Sequence, residues 1–180
     1  MSVNKWKLID RRYVIKRPWL TARCDMVQLP NRKILPEFYV LEYPMWVNVI
    51  AITEDGKYLM VEQYRHGLQN VFTELVAGVV EQGEEPLAAA KRELLEETGY
   101  TGGNWELLTV LSQNPTSTTN LTYCFVATGV RKACEQSLDE TEDIEVKHFT
   151  EEDVKRLLLD DKMKQSLMAA PLWKYFYLKG

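Results

Sequence analysis

The sequence predicts an α/β fold, a mixed sheet with helices packed on it, preceded by a β-rich N-terminal appendage. Three observations lead there. The chain has 180 residues, 46% of them hydrophobic and 27% charged, which is the range of one globular core. Its periodic segments run in the order strands, helix, strands, helices, and this order favours helices laid on a sheet. The first 44 residues hold only extended segments and cannot build a core alone. The expected division is an appendage over residues 1–44 and a main domain over 45–180.

In the appendage, WKLIDRRYVI, ARCDMVQL and EFYVLEY are rich in β-branched and aromatic residues, with RPW, LPNRK and Pro44 as breaks. WVNVIAI and YLMVEQY then flank Glu54-Asp55-Gly56 and read as a hairpin of buried strands. FTELVAG reads as one short strand over 72–78. Pro86 opens a helix, LAAAKRELLEET, that Gly99 closes. WELLTVLS, LTYCFVATGV and IEVKHF are three further strands, the first two separated by the polar loop QNPTSTTN. Helices are expected over 151–159, capped by Thr150 and Asp153, and over 163–178.

Twenty-two Lys and Arg against 26 Asp and Glu give a net charge of −4, without the basic footprint of a nucleic-acid binder. No apolar run approaches the length of a membrane span, and the first twenty residues contain no apolar signal core, so a cytoplasmic protein is expected. Cys24, Cys124 and Cys134 are odd in number and widely spaced, which fits buried free thiols better than a disulfide framework or a zinc site.

The acid is unevenly placed. At about 100° per residue with Leu87 at zero, Leu94 and Leu95 fall near −20° and 80° and mark an expected buried stripe. Glu96, Glu93 and Glu97 fall near 180°, 240° and 280°, an arc facing away from it, with Ala89 and Ala90 leaving that arc uncrowded. Such an arc is either a solvated face or a repelling cluster that a cation compensates. With only oxygen donors at hand, the cation would be Mg²⁺ or Mn²⁺ rather than zinc.

The surrounding pattern decides between these. Gly78, five residues, Glu84, seven residues, Arg92-Glu93-Leu94, one residue, Glu96-Glu97, one residue, Gly99-Tyr100 closely resembles the Nudix box. Tyr100 stands where that box usually has a small aliphatic residue. The resemblance implies an α/β/α sandwich and metal-dependent hydrolysis of a nucleoside diphosphate linked to another moiety. It implies Glu93 and Glu97 as principal metal ligands, Glu96 as a further one, the Ala77 carbonyl as another, and Arg92 as the residue that orients the carboxylates, paired with Glu84.

Features outside the box resemble the ADP-ribose and nucleotide-sugar pyrophosphatase branch. Glu62-Gln63-Tyr64-Arg65 precedes Glu74-Leu75-Val76-Ala77-Gly78, an order that implies Arg65 on the diphosphate or terminal ribose and Glu74 beside the substrate. Pro115 lies fifteen positions past Tyr100, as a downstream proline does in that branch, although the loop around it lacks the glycine common there. Residues 138–145 are similar to an acidic loop that closes over the site, which implies Glu140 as catalytic base, with a box glutamate such as Glu96 as the other candidate, and Glu142 as an extra metal-linked carboxylate. Trp6 in WKLID resembles a base-stacking tryptophan supplied by the N-terminal segment of related dimers, so a homodimer with composite sites is implied. The expected substrate is ADP-ribose or a related ADP-sugar, with GDP-mannose or another nucleotide sugar, or a catalytically silent nucleotide sensor, as the other readings.

Overall fold

Val47, Asn48, Val49, Ile50 and Ala51 are successive residues of one strand, and all are buried. That strand has no solvent side, so helices must cover both faces of its sheet. The computed structural model describes residues 3–180 and separates into two compact units, one of residues 3–44 with 112–120 and one of 45–111 with 121–180.

The smaller unit is an antiparallel sheet of β1 (Lys7–Arg17), β2 (Leu20–Gln28) and β3 (Ile34–Glu42), in that order. Its buried acid is Asp25, which receives Arg11 at 2.8 and 3.1 Å and Arg23 at 3.1 Å. Burial alone would raise the Asp25 carboxyl; the two guanidinium groups overcome this and hold it below the usual carboxylate range. Residues 112–120 join this unit through β3, where Leu41 N–H donates to Ser117 O at 2.7 Å and Thr119 N–H to Leu41 O at 3.2 Å. Cys24 here and Cys124 of the larger unit are buried as expected, whereas Cys134 is exposed, contrary to that expectation.

The larger unit begins with β4 (Trp46–Thr53) and β5 (Tyr58–Arg65). They pair only at Ala51 with Leu59 and Ile52 with Tyr58, then diverge. Into the opening comes the segment predicted as one strand. It is two: β6 (Asn70–Glu74) pairs with β5, β7 (Val76–Val79) pairs with β4, and fully buried Leu75 is the crossing point. Helix α1 (Pro86–Thr98) ends at Gly99, whose φ of 73° is open to glycine and whose N–H returns to Leu95 O at 2.7 Å. Strand β8 (Tyr100–Leu111) starts at once, earlier than predicted. It pairs with β9 (Thr122–Lys132), which runs parallel to β4, while β10 (Ile144–Phe149) closes the other edge against β5. The sheet is therefore mixed, in the order β10-β5-β4-β9-β8.

Alternation sorts the core into two layers. Val47, Val49, Leu59, Val61, Phe125 and Ala127 face α1, whose contribution is Ala89, Ala90 and Leu94. Ile50, Tyr58, Met60 and Val126 face α2 (Glu151–Leu159) and α3 (Ser166–Lys179), which supply Val154, Leu158, Met168, Leu172 and Phe176. Helix α3 begins three residues later than predicted, at Ser166. Among the described residues no helix is long and apolar enough to cross a membrane.

The α1 stripe differs from the expected one. Leu87 and Leu95 are 39% and 37% exposed, and the buried residues are Ala89, Ala90, Leu94, Glu97 and Thr98. The two alanines are small enough to bring the helix close to the sheet, and the larger leucines flank the contact instead.

The Thr150–Asp153 capping box of α2 forms as predicted. Next to it, Glu151 accepts from Lys155 at 2.7 Å and from Tyr58 at 3.2 Å and also contacts Lys179, tying α2 to β5 and α3. Hydrogen bonds from the two lysines draw its carboxyl down to about 2. A depressed carboxyl stabilises the fold fully above its unfolded value and loses that contribution as pH falls through its folded value. Wild type is therefore expected to lose roughly 1 kcal/mol, after solvent screening, between about pH 4.5 and pH 2 that Glu151→Gln does not lose. Urea melts of both proteins across that window check this; parallel losses would refute it.

Candidate active site

The close approach of α1 to the sheet puts two of its glutamates against β7. A Cβ on Gly78 would lie 2.0 Å from the Glu93 carboxylate carbon, so that carboxylate rests on glycine backbone. One turn on, Glu97 is 3% exposed and its Oε2 accepts from Ala77 N–H at 3.3 Å. Burial, then the neighbouring charge of Glu93, pushes the Glu97 carboxyl up to about 8. Burial likewise raises Glu93, with Arg92 opposing it.

Arg92 organises the rest of the helix face. Its Nε and Nη2 donate to the two oxygens of Glu84 at 3.1 Å each, Nη1 donates to Glu93 at 2.8 Å and Glu96 at 2.9 Å, and Nη2 reaches Val79 O at 2.9 Å. These hydrogen bonds hold Glu84 below the carboxylate range. The planar fork lets one side chain join the loop before α1, the strand β7 and the helix itself.

On the other side of the crossing at Leu75, buried Glu74 takes Arg65 Nε and Nη2 on a single oxygen, at 3.0 and 2.6 Å, with Gln63 Nε2 at 3.4 Å. Arg65 stays 43% exposed, and its charge is felt at Glu97, where it favours the ionised form. Glu142 acts on Glu93 and Glu97 in the opposite sense. Its carboxylate also accepts from Asp139 N–H at 3.1 Å, which folds the acidic segment into a turn with exposed Glu140 inside it. The larger unit thus gathers Arg65, Glu74, Ala77, Arg92, Glu93, Glu96, Glu97 and Glu142.

Trp6 and Pro115 belong to the smaller unit. Trp6 is 47% exposed and meets Phe38 edge to face at 5.6 Å. Pro115 sits in an Asn114-led turn, where the Asn114 side chain accepts from Thr116 N–H at 3.2 Å and its carbonyl from Ser117 and Thr118 N–H.

Residues 43–170 match the NUDIX domain. The chain belongs to the Nudix family. Residues 6–41 match the nucleoside diphosphate sugar hydrolase N-terminal domain. This Nudix hydrolase is 38% identical over 153 residues to the ADP-ribose pyrophosphatase of Bacillus subtilis (strain 168), spanning 84% of the chain and 82% of the relative. It is 34% identical to the methanol dehydrogenase activator of Bacillus methanolicus over 161 residues, 89% of the chain and 86% of that relative. The crystal structure of an ADP compounds hydrolase superposes with a TM-score of 0.85 at 22% identity, covering 100% of this chain and 97% of that one, which establishes the shared fold.

The cluster of this Nudix hydrolase suits a divalent cation in charge and donor type. Its ligand candidates are all oxygen, and Glu97 is a buried carboxylate without a cation in hydrogen-bonding contact. Among the described residues no three His, Cys, Asp or Glu side chains close into a finished site, and Glu93 and Glu96 each have one oxygen on Arg92. A cation would draw these carboxylates together from places the backbone already sets.

One element of the site was not singled out in the sequence. Residues 132–137 run along the end of α1 and hydrogen-bond its last carbonyls. No periodicity marks such a stretch; the pointer is that every helix end needs partners for its carbonyls.

Proposed function

We propose that this Nudix hydrolase cleaves the diphosphate of ADP-ribose or a related ADP-sugar to AMP and a sugar phosphate, with Mg²⁺, or Mn²⁺ in its place. The observation that carries it is the pairing of opposite poles across the Leu75 crossing: half-buried Glu93 and buried Glu97 on one side, and Arg65 held out by Glu74 on the other. A diphosphate needs both, a cation site for its oxygens and a fixed guanidinium for its charge. The names of the relatives point to an ADP moiety, and the matched N-terminal domain to a sugar.

In this reading Glu93 and Glu97 hold the cation, with Glu96, Glu142 and the Ala77 carbonyl as further donors. When bound, it neutralises the diphosphate and makes a water easier to deprotonate. Arg92 keeps Glu93 and Glu96 in place. Glu140 takes the proton of the water as its oxygen bonds to phosphorus in line with the departing bridging oxygen, and that oxygen leaves on the sugar phosphate or on AMP. Arg65 Nε and Nη2 are committed to Glu74, and its Nη1 remains for the diphosphate.

A panel of nucleotide sugars with Mg²⁺, scored for released monophosphate, tests the reading. AMP from ADP-ribose is expected, with Glu140→Gln slower by about two to four orders of magnitude in kcat. Turnover of GDP-mannose alone would transfer the function to that substrate, and binding without turnover to a sensor; an unimpaired Glu140→Gln would move the base into the box.

The protein is further proposed to be a cytoplasmic homodimer in which Trp6 stacks on the base and Pro115 lines the substrate. Support comes from β1, exposed along its whole length while carrying Leu8, Ile9, Tyr13, Val14 and Ile15. Light scattering at micromolar concentration should give twice the chain mass; a monomer would remove the composite site.

A further inference from the structure

The final turn of an α-helix leaves carbonyls that the helix itself does not use. In α1 those carbonyls are met by one passing stretch of chain. Lys132 Nζ donates to Thr98 O at 3.2 Å, the N–H groups of Ala133 and Cys134 to Gly99 O at 2.8 and 3.2 Å, and Ser137 N–H to Glu96 O at 2.9 Å. Between them Gln136 Nε2 donates to Glu97 O at 2.6 Å. The same nitrogen donates its second hydrogen to Ile144 O at 3.2 Å, the first residue of β10.

Gln136 and Ile144 flank residues 137–143, the segment that carries Glu140 and Glu142. The amide therefore closes the neck of that segment and fastens it to the helix that carries Glu93, Glu96 and Glu97. Leu138, packed on the α1 side of the core, and the Asp139–Glu142 turn give the segment its internal form. The segment is held to the helix by the Ser137 N–H on Glu96 O and by the neck.

We propose that Gln136 is a positioning residue: its side-chain amide, shared between the Glu97 and Ile144 carbonyls, sets where Glu140 and Glu142 stand over Glu93 and Glu97. The inference rests on reading the site as a diphosphate hydrolase and adds a residue to it. The chemistry is restrictive. Both partners are carbonyl oxygens, so the side chain must offer two hydrogens from one nitrogen. Asn is one methylene too short, Glu has no donor, and Met matches Gln in length but donates nothing. Lys has the reach and keeps donors, as Lys132 does at the neighbouring carbonyl.

The test compares wild type, Gln136→Met and Gln136→Lys by hydrogen exchange on the metal-free protein and by steady-state kinetics. In Gln136→Met, exchange of amides in residues 137–143 should rise at least tenfold while β4 and β9 stay unchanged. kcat should fall about ten- to hundredfold, with KM altered less than about threefold. Gln136→Lys should recover most of both. Unchanged exchange at 137–143, a rise across β4 and β9 alike, or Gln136→Lys as impaired as Gln136→Met would each overturn the proposal. Exchange is read without substrate, so an inactive wild type overturns the functional reading and leaves the neck decided on its own.

Discussion

Glu97→Gln will lower kcat by about three orders of magnitude or more and will make the metal-free protein more heat-stable. Both effects have one cause. The Glu97 carboxylate is 3% exposed, stands beside the charge of Glu93, and among the described residues has only the Ala77 N–H as hydrogen-bond donor. Without a cation, its ionised form costs the fold stability through burial and repulsion. The neutral amide keeps the shape and removes the charge, so a gain of about 2 kcal/mol, or roughly 4–8 °C in Tm, is expected. In the proposed site the same exchange removes a ligand of the cation, so the rise in Tm expected of wild type with Mg²⁺ should not occur in the variant. Thermal melts with and without Mg²⁺, alongside initial rates, give all three readings. Retained activity, or an unchanged Mg²⁺ response, would take Glu97 out of the metal site.

Gly78→Ala is the second large effect, and it separates activity from stability. The new methyl would fall 2.0 Å from the carboxylate carbon of Glu93 and 2.1 Å from its Oε1. The obstructing group is the far end of a flexible side chain, so Glu93 can swing aside and the fold tolerates the change. A displaced ligand is a different matter: moving a reacting group by about 1 Å can cost on the order of a hundredfold in rate. The variant should therefore melt within a few degrees of wild type, lose about two orders of magnitude in kcat, and need more Mg²⁺ to saturate. A variant with normal kcat would mean that Glu93 can hold a cation from its displaced position.

Much of this was legible in the sequence because the strongest local signals agree with the fold. WVNVIAI and YLMVEQY are apolar on both sides, and both sides are covered. The spacing from Gly78 to Gly99 places Arg92 within reach of Glu84, Glu93 and Glu96, where it is found. Three points were not legible, for separate reasons. A helical wheel weights large apolar residues, so beside Leu94, which is buried, it chose Leu87 and Leu95, whereas close packing selected the smallest, Ala89 and Ala90. Alternation in FTELVAG shows a strand but not its neighbour, so the change of partner at Leu75 was invisible. Gln136 lies in a polar stretch between strands, and the two carbonyls it joins lie 39 positions before it and 8 after it in the chain.

The crossing at Leu75 has a consequence for altering the enzyme. Glu74, which holds the guanidinium, and Ala77 and Gly78, which seat the two carboxylates, lie within five consecutive residues fixed at both ends to different strands. In the proposed site that stretch works as a ruler between the substrate-charge side and the metal side. Inserting or deleting one residue would reverse the alternation beyond it and turn one set of groups to the opposite face of the sheet. Exchanges of specificity loops with relatives should therefore carry residues 70–79 intact as a cassette, with the joins placed in the turns on either side.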